Sequence, residues 1–543
     1  MKILGICTHH DSSVCVLVDG LIDYYSKEER LTRKKRDKYP TRSINKAIEL
    51  YNGEFDYVII SSWNYTNEYI ITLTEQLKKK LPKSKIINEC SQHHLFHANM
   101  AFFNSQFEEA LCFVADRVGA PMGNLIECES IYQASYPNVF VPIMKNYYNR
   151  NMGEHYDEDN YRNLQILQDK LPECDISAHN KMSITKVYES ATTLIGEHPL
   201  ENGKTMGLSS FGKNWTHKDL FSNNIPIAGY FMHLNKPDNP VLLKEHYNTM
   251  IDGVPTENYE LYADYAFQVQ KQTMKVVKDT ISKYVSKTGI KNVVISGGYG
   301  LNVLTNQYLI KNMPDINFYF EPVADDSGIS IGAALFLHRS ITGDDRKIKY
   351  KNLFYNNINH SVRVEGEPCT EKDIAKLLSD GKIVAVYNEM AEVGPRALGN
   401  RSILYDARDK MAKDIVNVVK NREWYRPFAG SILKEYANDY FDMLNQKESP
   451  NMTIAFDSKT DKIPGVIHVD NTCRVQTVDE DIPHFYKLLK EFNNITGVPV
   501  LLNTSFNVAG EALVETVEDA IQTFEKTDID VLWFPEKQIM MTK

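Results

Sequence analysis

His93 and His97 stand four apart in Gln92-His-His-Leu-Phe-His97-Ala98. On a helix that spacing puts both imidazoles on one face, about 5–6 Å apart at Cβ and within reach of a single metal ion. Carboxylates that could complete such a site stand at strand ends. Asp116 closes the apolar run Cys112-Phe-Val-Ala115, and Asp325-Asp326 precedes a glycine-rich helix start. Two histidines with one or two aspartates make a mixed nitrogen and oxygen site for iron, manganese or zinc, with positions left open for substrate. Such an ion would polarise a carbonyl or phosphoryl oxygen. A plain polar helix face is the competing reading of the histidine pair. His10-Asp11-Ser12-Ser13, between two opening strands, is placed for a phosphate hairpin or for a general base with its orienting carboxylate; a turn-capping histidine explains His10 equally well. Ser296-Gly297-Gly298-Tyr-Gly-Leu-Asn302 follows a strand and suits a backbone-amide phosphate cradle, although Gly-Gly turns are common.

A second chemistry lies late in the chain. In Glu392-Val-Gly-Pro-Arg-Ala-Leu-Gly-Asn-Arg-Ser402, Arg396 and Arg401 flank turn-forming glycines. Guanidinium grips phosphate or carboxylate two-pronged, and glycines let backbone amides approach the same anion. Lys420-Asn-Arg-Glu-Trp-Tyr-Arg426 supplies up to three more cations, Arg474 sits in a strand-like run, and Asn503-Thr-Ser505-Phe-Asn507 follows a buried apolar one. Cations spread over separated loops and interleaved with Gly, Pro and apolar strands differ from a contiguous solvated charge run. They suit a polyphosphate and a small anion.

The elements that must position these groups read as alternating strands and helices. Lys2 to Cys7, Ser13 to Val18 and Leu21 to Ser26 are strands, joined at Asp19-Gly20 by a tight hairpin turn. Phe55 to Ser62, Lys85 to Cys90, Ala110 to Ala115, Asn292 to Ser296 and Asn317 to Glu321 are further strands, and Leu261 to Ser286 is a long amphipathic helix. Residues 140–200 read as insertion loops. A polar stretch, 346–366, separates a first α/β domain, 1–345, from a second, 367–543, which opens with a helix from Glu371 to Ser379.

The chain of 543 residues, 43% hydrophobic and 11% aromatic, has ample material for packed cores. A formal charge of −10 makes the whole surface no magnet for nucleic acid or anionic membrane. Eight scattered cysteines without a CxxC pair argue against a zinc ribbon or disulfide scaffold and for a reducing compartment. No apolar run approaches the ~18 residues that span a bilayer. With Met1 opening directly onto a strand, the expectation is a cytoplasmic protein without a signal peptide.

Together these segments resemble the ATP-dependent O-carbamoyltransferases of the nodulation, cephamycin and tobramycin type. The opening pattern of that family appears as Gly5, His10-Asp11-Ser12-Ser13, Asp19-Gly20 and Glu28-Glu-Arg-Leu-Thr-Arg-Lys-Lys35. Its HHLAHA element is His93 to Ala98, with Phe96 where alanine is usual. Lys204 to Gly212, Gly297 to Asn302 and Asp326 to Ala334 match further elements. The late loops at 392–402, 420–427, 472–478 and 498–507 complete the set, in order, over essentially the whole chain. The resemblance implies an α/β fold: an actin- and sugar-kinase-like (ASKHA) N-terminal domain followed by a YrdC-like domain.

It further implies that the second domain makes carbamoyl adenylate from ATP and carbamoyl phosphate. The carbamoyl group then passes to the first domain for transfer to a hydroxyl of a small-molecule or sugar-like acceptor. By resemblance, His93, His97, Asp116 and Asp326 are the metal ligands, iron being usual. Gly297, Gly298, Asn302, Arg396, Arg401, Lys420, Arg426, Arg474, Asn503 and Ser505 serve nucleotide and carbamoyl phosphate. Lys35 reaches the nucleotide or intermediate, and His10 with Asp11 positions or deprotonates the acceptor. After Asp116 the family usually continues Gly-x-Gly-Glu, whereas this chain has Arg117-Val-Gly-Ala120, which makes Asp116 the least secure ligand. The Lys-, Asn- and Tyr-rich composition leaves a hydroxymethyl pyrimidine, free or in DNA, as an alternative acceptor. Threonylcarbamoyl transfer to tRNA is an alternative of another class; nucleic acid is not the favoured partner. Oligomeric state is not legible.

Overall fold

The computed structural model describes residues 1–62, 67–149, 158–179, 183–214, 219–226, 250–251, 254–255, 259–347, 352–355 and 364–543. The expected linker, 346–366, therefore falls largely outside the described residues. Two compact units form. The larger takes the described residues of 1–28, 36–247 and 258–351; the smaller takes those of 29–35, 248–257 and 352–543. The seven residues Glu29–Lys35, inside the expected first domain, thus pack with the smaller unit.

The larger unit has two mixed sheets. In the first the order is Leu21–Lys27, Ser13–Val18, Lys2–Cys7, Tyr57–Ser61, Lys85–Glu89, the first three antiparallel and the last three parallel. The hairpin turn is as expected: Asp19 and Gly20 both have positive φ, 50° and 85°, matching the twist of the strands they join. In the second sheet Val139–Asn149, Leu125–Ser135, Glu109–Ala115, Asn292–Ser296 and Asn317–Phe320 repeat that order and those directions, with Asp175–His179 added at the edge. Strand order and direction are thus duplicated within one unit.

Residues 140–200 correct the expectation of insertion loops. They hold most of the strand Val139–Asn149, helices Glu158–Lys170 and Ile184–Leu194, and the strand Asp175–His179. The strand pairs along its length with Leu125–Ser135, but register shifts at Glu127/Glu129 and Ile131/Tyr132 break the alternation that identifies a strand in sequence.

Helix His93–Ser105 is buried along nearly all its length and packs on helix Ile329–Thr342. Their crossing needs glycine: a Cβ at Gly332 would lie 2.0 Å from the Phe96 carbonyl oxygen. That crossing sets the first helix, carrying His93 and His97, beside the segment Asp325–Gly328 that leads into the second. None of the described helices is long and apolar enough to cross a membrane.

The smaller unit is built on a nine-stranded mixed sheet in which Val384–Tyr387, Arg401–Asp406, Val500–Ser505, Ala429–Leu433 and Thr472–Val478 are consecutive neighbours. Helices Glu371–Ser379 and Pro483–Thr496 bury Ile374, Leu378, Phe485, Leu488 and Phe492 against it. Thr370 and Thr516 each open a helix with a complete capping box, satisfying otherwise orphaned N–H groups. All eight cysteines are free thiols.

Candidate functional site

Four buried side chains converge in the larger unit: one ligand atom each from His93, His97, Asp116 and Asp326, all within 4.8 Å of one another. His93 Nε2 lies 3.3 Å from Asp116 Oδ2 and 3.4 Å from Asp326 Oδ1, and His97 Nε2 lies 3.7 Å from that same oxygen. Asp116 follows the strand Glu109–Ala115, whose parallel neighbours Asn292–Ser296 and Asn317–Phe320 end on the same edge. Carboxyl ends of parallel strands are where α/β sheets place ligand groups. Both ring nitrogens of His97, His93 Nδ1 and Asp326 Oδ1 are buried without a hydrogen bond. Buried polar atoms normally find partners, so this set fits a bound cation. Burial opposes charge on His93, but Asp326 and Asp116 outweigh it and push its pKa up to about 10. Burial likewise opposes ionisation of Asp326, yet His10 and His93 hold it well below the usual carboxylate range.

A second layer of charge surrounds these four. His10 Nδ1 lies 2.8 Å from Asp11 Oδ2 as an ion pair, and its Nε2 is 3.7 Å from Asp326 Oδ2. Burial works against its charged form; Asp326 and Asp11 win, raising its pKa to about 9. Lys27, the last residue of a buried strand, reaches Asp11 at 3.4 Å and Asp325 at 3.8 Å. His9 packs its ring edge-on to His93, centroids 4.8 Å apart, and burial beside that imidazole lowers its pKa to about 3. Sequence reasoning missed both Lys27 and His9. Neither belongs to a recognisable motif spacing, and only the fold brings Lys27 to Asp325.

The glycine turn serves the carboxylate ligand. The Gly298 amide donates to Asp116 Oδ1 at 3.0 Å, and Gly297 has φ 81° with Ala115 O only 2.4 Å from where a Cβ would stand. Asn302 caps helix Val303–Asn312 through Thr305 N and bonds Gln270. In this arrangement the turn braces Asp116, and the Gly298 amide and the Asn302 side chain, expected on phosphate, are engaged within the chain. Arg117, in place of glycine, points to Glu189 in a two-pronged pair at 2.9 and 3.0 Å.

In the smaller unit, Lys35, Arg396, Lys420, Arg422, Arg426 and Arg474 feel one another's charge. Glu423, 3.3 Å from Arg426, is the ion-paired carboxylate seen in that group. Burial first, then Arg422, Arg426 and Lys35, push Lys420 well below its ordinary pKa; its Nζ donates only to neutral oxygens of Ser505 and Asn507. Burial and the neighbouring Arg396 act the same way on Arg474, and Nε of both Arg422 and Arg474 is buried without a hydrogen bond. Lys35 reaches this group because the segment 29–35 is stitched to the unit. Arg30 Nη2 donates to the Glu392 and Gly394 carbonyls at 3.2 and 3.3 Å, and Arg33 Nη1 to Leu513 O at 2.6 Å.

Arg401 is bonded differently from these cations. It is fully buried, and its Nη atoms donate to the carbonyls of Asn388, Asn400, Glu389 and Glu515 while its guanidinium lies 3.7 Å over the Tyr387 ring. The glycine-loop amides are equally spent: Leu398, Asn400 and Arg401 N–H all donate to Glu392 Oε1, at 2.8, 3.0 and 3.1 Å. The expected anion nest is filled by the chain's own carboxylate. Asn503 lies beneath this loop, donating from Nδ2 to Ala397 O, Ser431 Oγ and Gln476 Oε1, with Oδ1 making no hydrogen bond. Ser505 Oγ donates to Asn507 Oδ1 at 2.6 Å beside Lys420.

The model described as carbamoyltransferase N-terminus matches residues 64–335, and that described as carbamoyltransferase C-terminus matches 375–541. The nodulation protein NolNO of Sinorhizobium fredii is 28% identical, covering 96% of this chain and 78% of that protein. An uncharacterised protein of Methanocaldococcus jannaschii, MJ1058, is 30% identical over 85% of this chain and 75% of its own. The nodulation protein NolO of Bradyrhizobium diazoefficiens is 27% identical, with 81% and 77% covered. Among solved structures, full-length HypF in a phosphate- and nucleotide-bound form aligns at a TM-score of 0.39 and 16% identity, over 63% of this chain and 56% of that one. With both family regions present in order and the matched relatives spanned along most of their length, the chain belongs to the carbamoyltransferase family.

Proposed function

We propose that the protein is an ATP-dependent O-carbamoyltransferase working through carbamoyl adenylate. In the smaller unit, read as YrdC-like, carbamoyl phosphate is hydrolysed to carbamate and phosphate. A carbamate oxygen then bonds to the α-phosphorus of ATP and pyrophosphate leaves. In the larger unit, read as actin- and sugar-kinase-like, an acceptor hydroxyl attacks the carbamoyl carbon, its proton departs, and AMP is the leaving group.

The observation that carries this reading is the crowding of mutually repelling cations in the smaller unit, Lys420 buried among them and the Nε atoms of Arg422 and Arg474 buried without a hydrogen bond. Gathering like charges costs free energy that an anionic ligand would offset. Lys35, Arg396, Lys420, Arg422, Arg426 and Arg474 would bind the phosphates. His93, His97, Asp116 and Asp326 would hold a divalent metal, iron above manganese or zinc; when bound, that ion supplies Lewis-acid polarisation of the reacting group. His10, its ring fixed at Nδ1 by Asp11, orients the acceptor hydroxyl, and Lys27 keeps Asp11 and Asp325 in place. The acceptor is a small molecule or sugar-like hydroxyl.

Purified protein with ATP, a divalent metal and carbamoyl phosphate should release AMP and pyrophosphate, the pyrophosphate only when carbamoyl phosphate is present. Release of ADP instead would make it a kinase-like ATPase. Turnover with threonine and bicarbonate, but not carbamoyl phosphate, would move it to the tRNA-modifying branch.

A further inference from the structure

Arg117 directly follows the ligand residue Asp116, and its Nε and Nη2 are held by the two oxygens of Glu189, leaving Nη1 outside the pair. Lys186 adds a second cation to the same carboxylate, 2.8 Å from Glu189 Oε2. Both cations are on or beside helix Ile184–Leu194, whose start is tied to the metal ligand: Thr185 Oγ1 donates to the Asp116 carbonyl at 2.9 Å, and Ser183 caps the helix through Lys186 N. The two cations and one carboxylate are therefore fixed relative to the metal tetrad. If the pair served only to tie residue 117 to the helix, one cation would suffice for one carboxylate. The second is partly desolvated, with a side chain 17% exposed, and burial is the first cause of its lowered pKa.

We propose that Arg117, backed by Lys186 and occupied by Glu189 until a stronger oxyanion competes for it, is an oxyanion clamp beside the metal site that takes a phosphate or carboxylate of the ligand reacting there. The oxyanion comes either from the adenylate donor or from an acceptor whose hydroxyl is accompanied by an anionic group. Fork-shaped guanidinium recognition suits either, and a glycine at this position could supply no charge at all. The role in transfer rests on the reading above; the anion binding itself does not.

The test is equilibrium dialysis of radiolabelled inorganic phosphate against the full-length protein, which needs neither metal nor turnover. Phosphate bound in the smaller unit is common to all variants and cancels in the comparison. Arg117→Ala should weaken one class of phosphate site by about 10–100-fold, the loss of one charge-assisted pair of bonds, with Arg117→Lys recovering part of it. Glu189→Gln removes the competing carboxylate and should tighten the same class several-fold, on the order of a single exposed charge pair. A misfolded variant cannot bind more tightly, so Glu189→Gln decides the matter even if Arg117→Ala is unstable. Phosphate binding unchanged in both variants, or weakened in Glu189→Gln, overturns the proposal. Displacement from the Arg117-dependent class by AMP assigns the donor's phosphate, and displacement by glycerol 3-phosphate assigns an anionic acceptor. A protein that binds phosphate through Arg117 yet releases no pyrophosphate with carbamoyl phosphate refutes the functional reading and leaves the clamp standing.

Discussion

Arg401→Lys separates two kinds of buried arginine that look alike in the sequence. The Arg401 fork donates to four carbonyls, at 2.6 and 3.0 Å from Nη1 and 2.8 and 3.2 Å from Nη2. Lysine keeps the charge but concentrates three donors at one point, so it can satisfy about two of the four oxygens. Each carbonyl stranded in a buried site costs roughly 1–3 kcal/mol, and the stacking on Tyr387 is lost as well, for a total of about 3–5 kcal/mol. At about 2–4 °C per kcal/mol for a unit of 150–250 residues, the smaller unit should melt roughly 6–20 °C lower. Arg474→Gln should do the opposite. It relieves repulsion from Arg396 and Arg426, so the apo protein should melt no lower than wild type, while stabilisation by added carbamoyl phosphate and ATP collapses. Differential scanning fluorimetry with and without those ligands reads both effects. An Arg401→Lys protein that melts with wild type but loses the ligand-induced shift would refute the structural assignment of Arg401 and return it to the anion site.

Three further outcomes are expected. His97→Ala and Asp326→Ala should each lower divalent-metal affinity by more than about 100-fold, measured by calorimetric titration, since each removes one of four converging ligands. Gly332→Ala forces a methyl onto the Phe96 carbonyl, 2.0 Å from the Cβ position, and should cost about 1–3 kcal/mol in denaturant unfolding while displacing the histidine helix and weakening metal binding. Glu321 is buried and bonded to Val323 N and Asn104 Nδ2, but burial raises its pKa to about 7. Its folded pKa lies above the unfolded one, so the stabilisation it gives is present below about pH 4.5 and lost as pH rises through about 7. Glu321→Gln should flatten that window, gaining about 3 kcal/mol above pH 7 in urea titrations across pH.

The convergence of His93, His97, Asp116 and Asp326 was legible because its information is local: two histidines one helical turn apart, and aspartates where apolar strands end. The cation group was legible for a similar reason, in that charge interrupting apolar strands has few structural uses. What sequence could not resolve was which charges are already satisfied. Glu392 and Arg401 lie in the same glycine loop as Arg396, but the carbonyls that neutralise Arg401 include Glu515, far along the chain, and the carboxylate that fills the amide nest is the loop's own first residue. His9 and His10 are adjacent in the turn after the first strand; nothing in the sequence says that the first packs on His93 while the second pairs with Asp11. The strand Val139–Asn149 was missed because an extra residue, Ile143, bulges it where the pairing passes from Ile131↔Met144 to Tyr132↔Pro142, and hides the alternation.

How many of its donors are engaged, rather than membership of a motif, separates Arg401, with four carbonyls on its Nη atoms and only Nε unpartnered, from Arg474, whose Nε is buried without a hydrogen bond beside two other arginines. Glu28 opens the strongest N-terminal motif and is almost fully buried, yet its carboxylate accepts Arg42 N, Ser43 N and Ser43 Oγ at 2.9, 2.8 and 2.7 Å, and so caps helix Thr41–Leu50. It needs no ligand. Arg474, half-buried, has only other cations and a thiol among the groups that shift it. His97 makes no hydrogen bond from either nitrogen. A chain that left such groups unsatisfied for no purpose would lose several kcal/mol in each unit, comparable to the whole margin of a folded domain. The same reasoning runs against Glu28 as a catalytic group: Glu28→Gln should lower stability through the weakened cap and leave phosphate and metal affinities where they were. A loss of either affinity at unchanged stability would show that satisfied charges also serve the sites, and would remove the criterion on which Arg401 and Arg474 are separated.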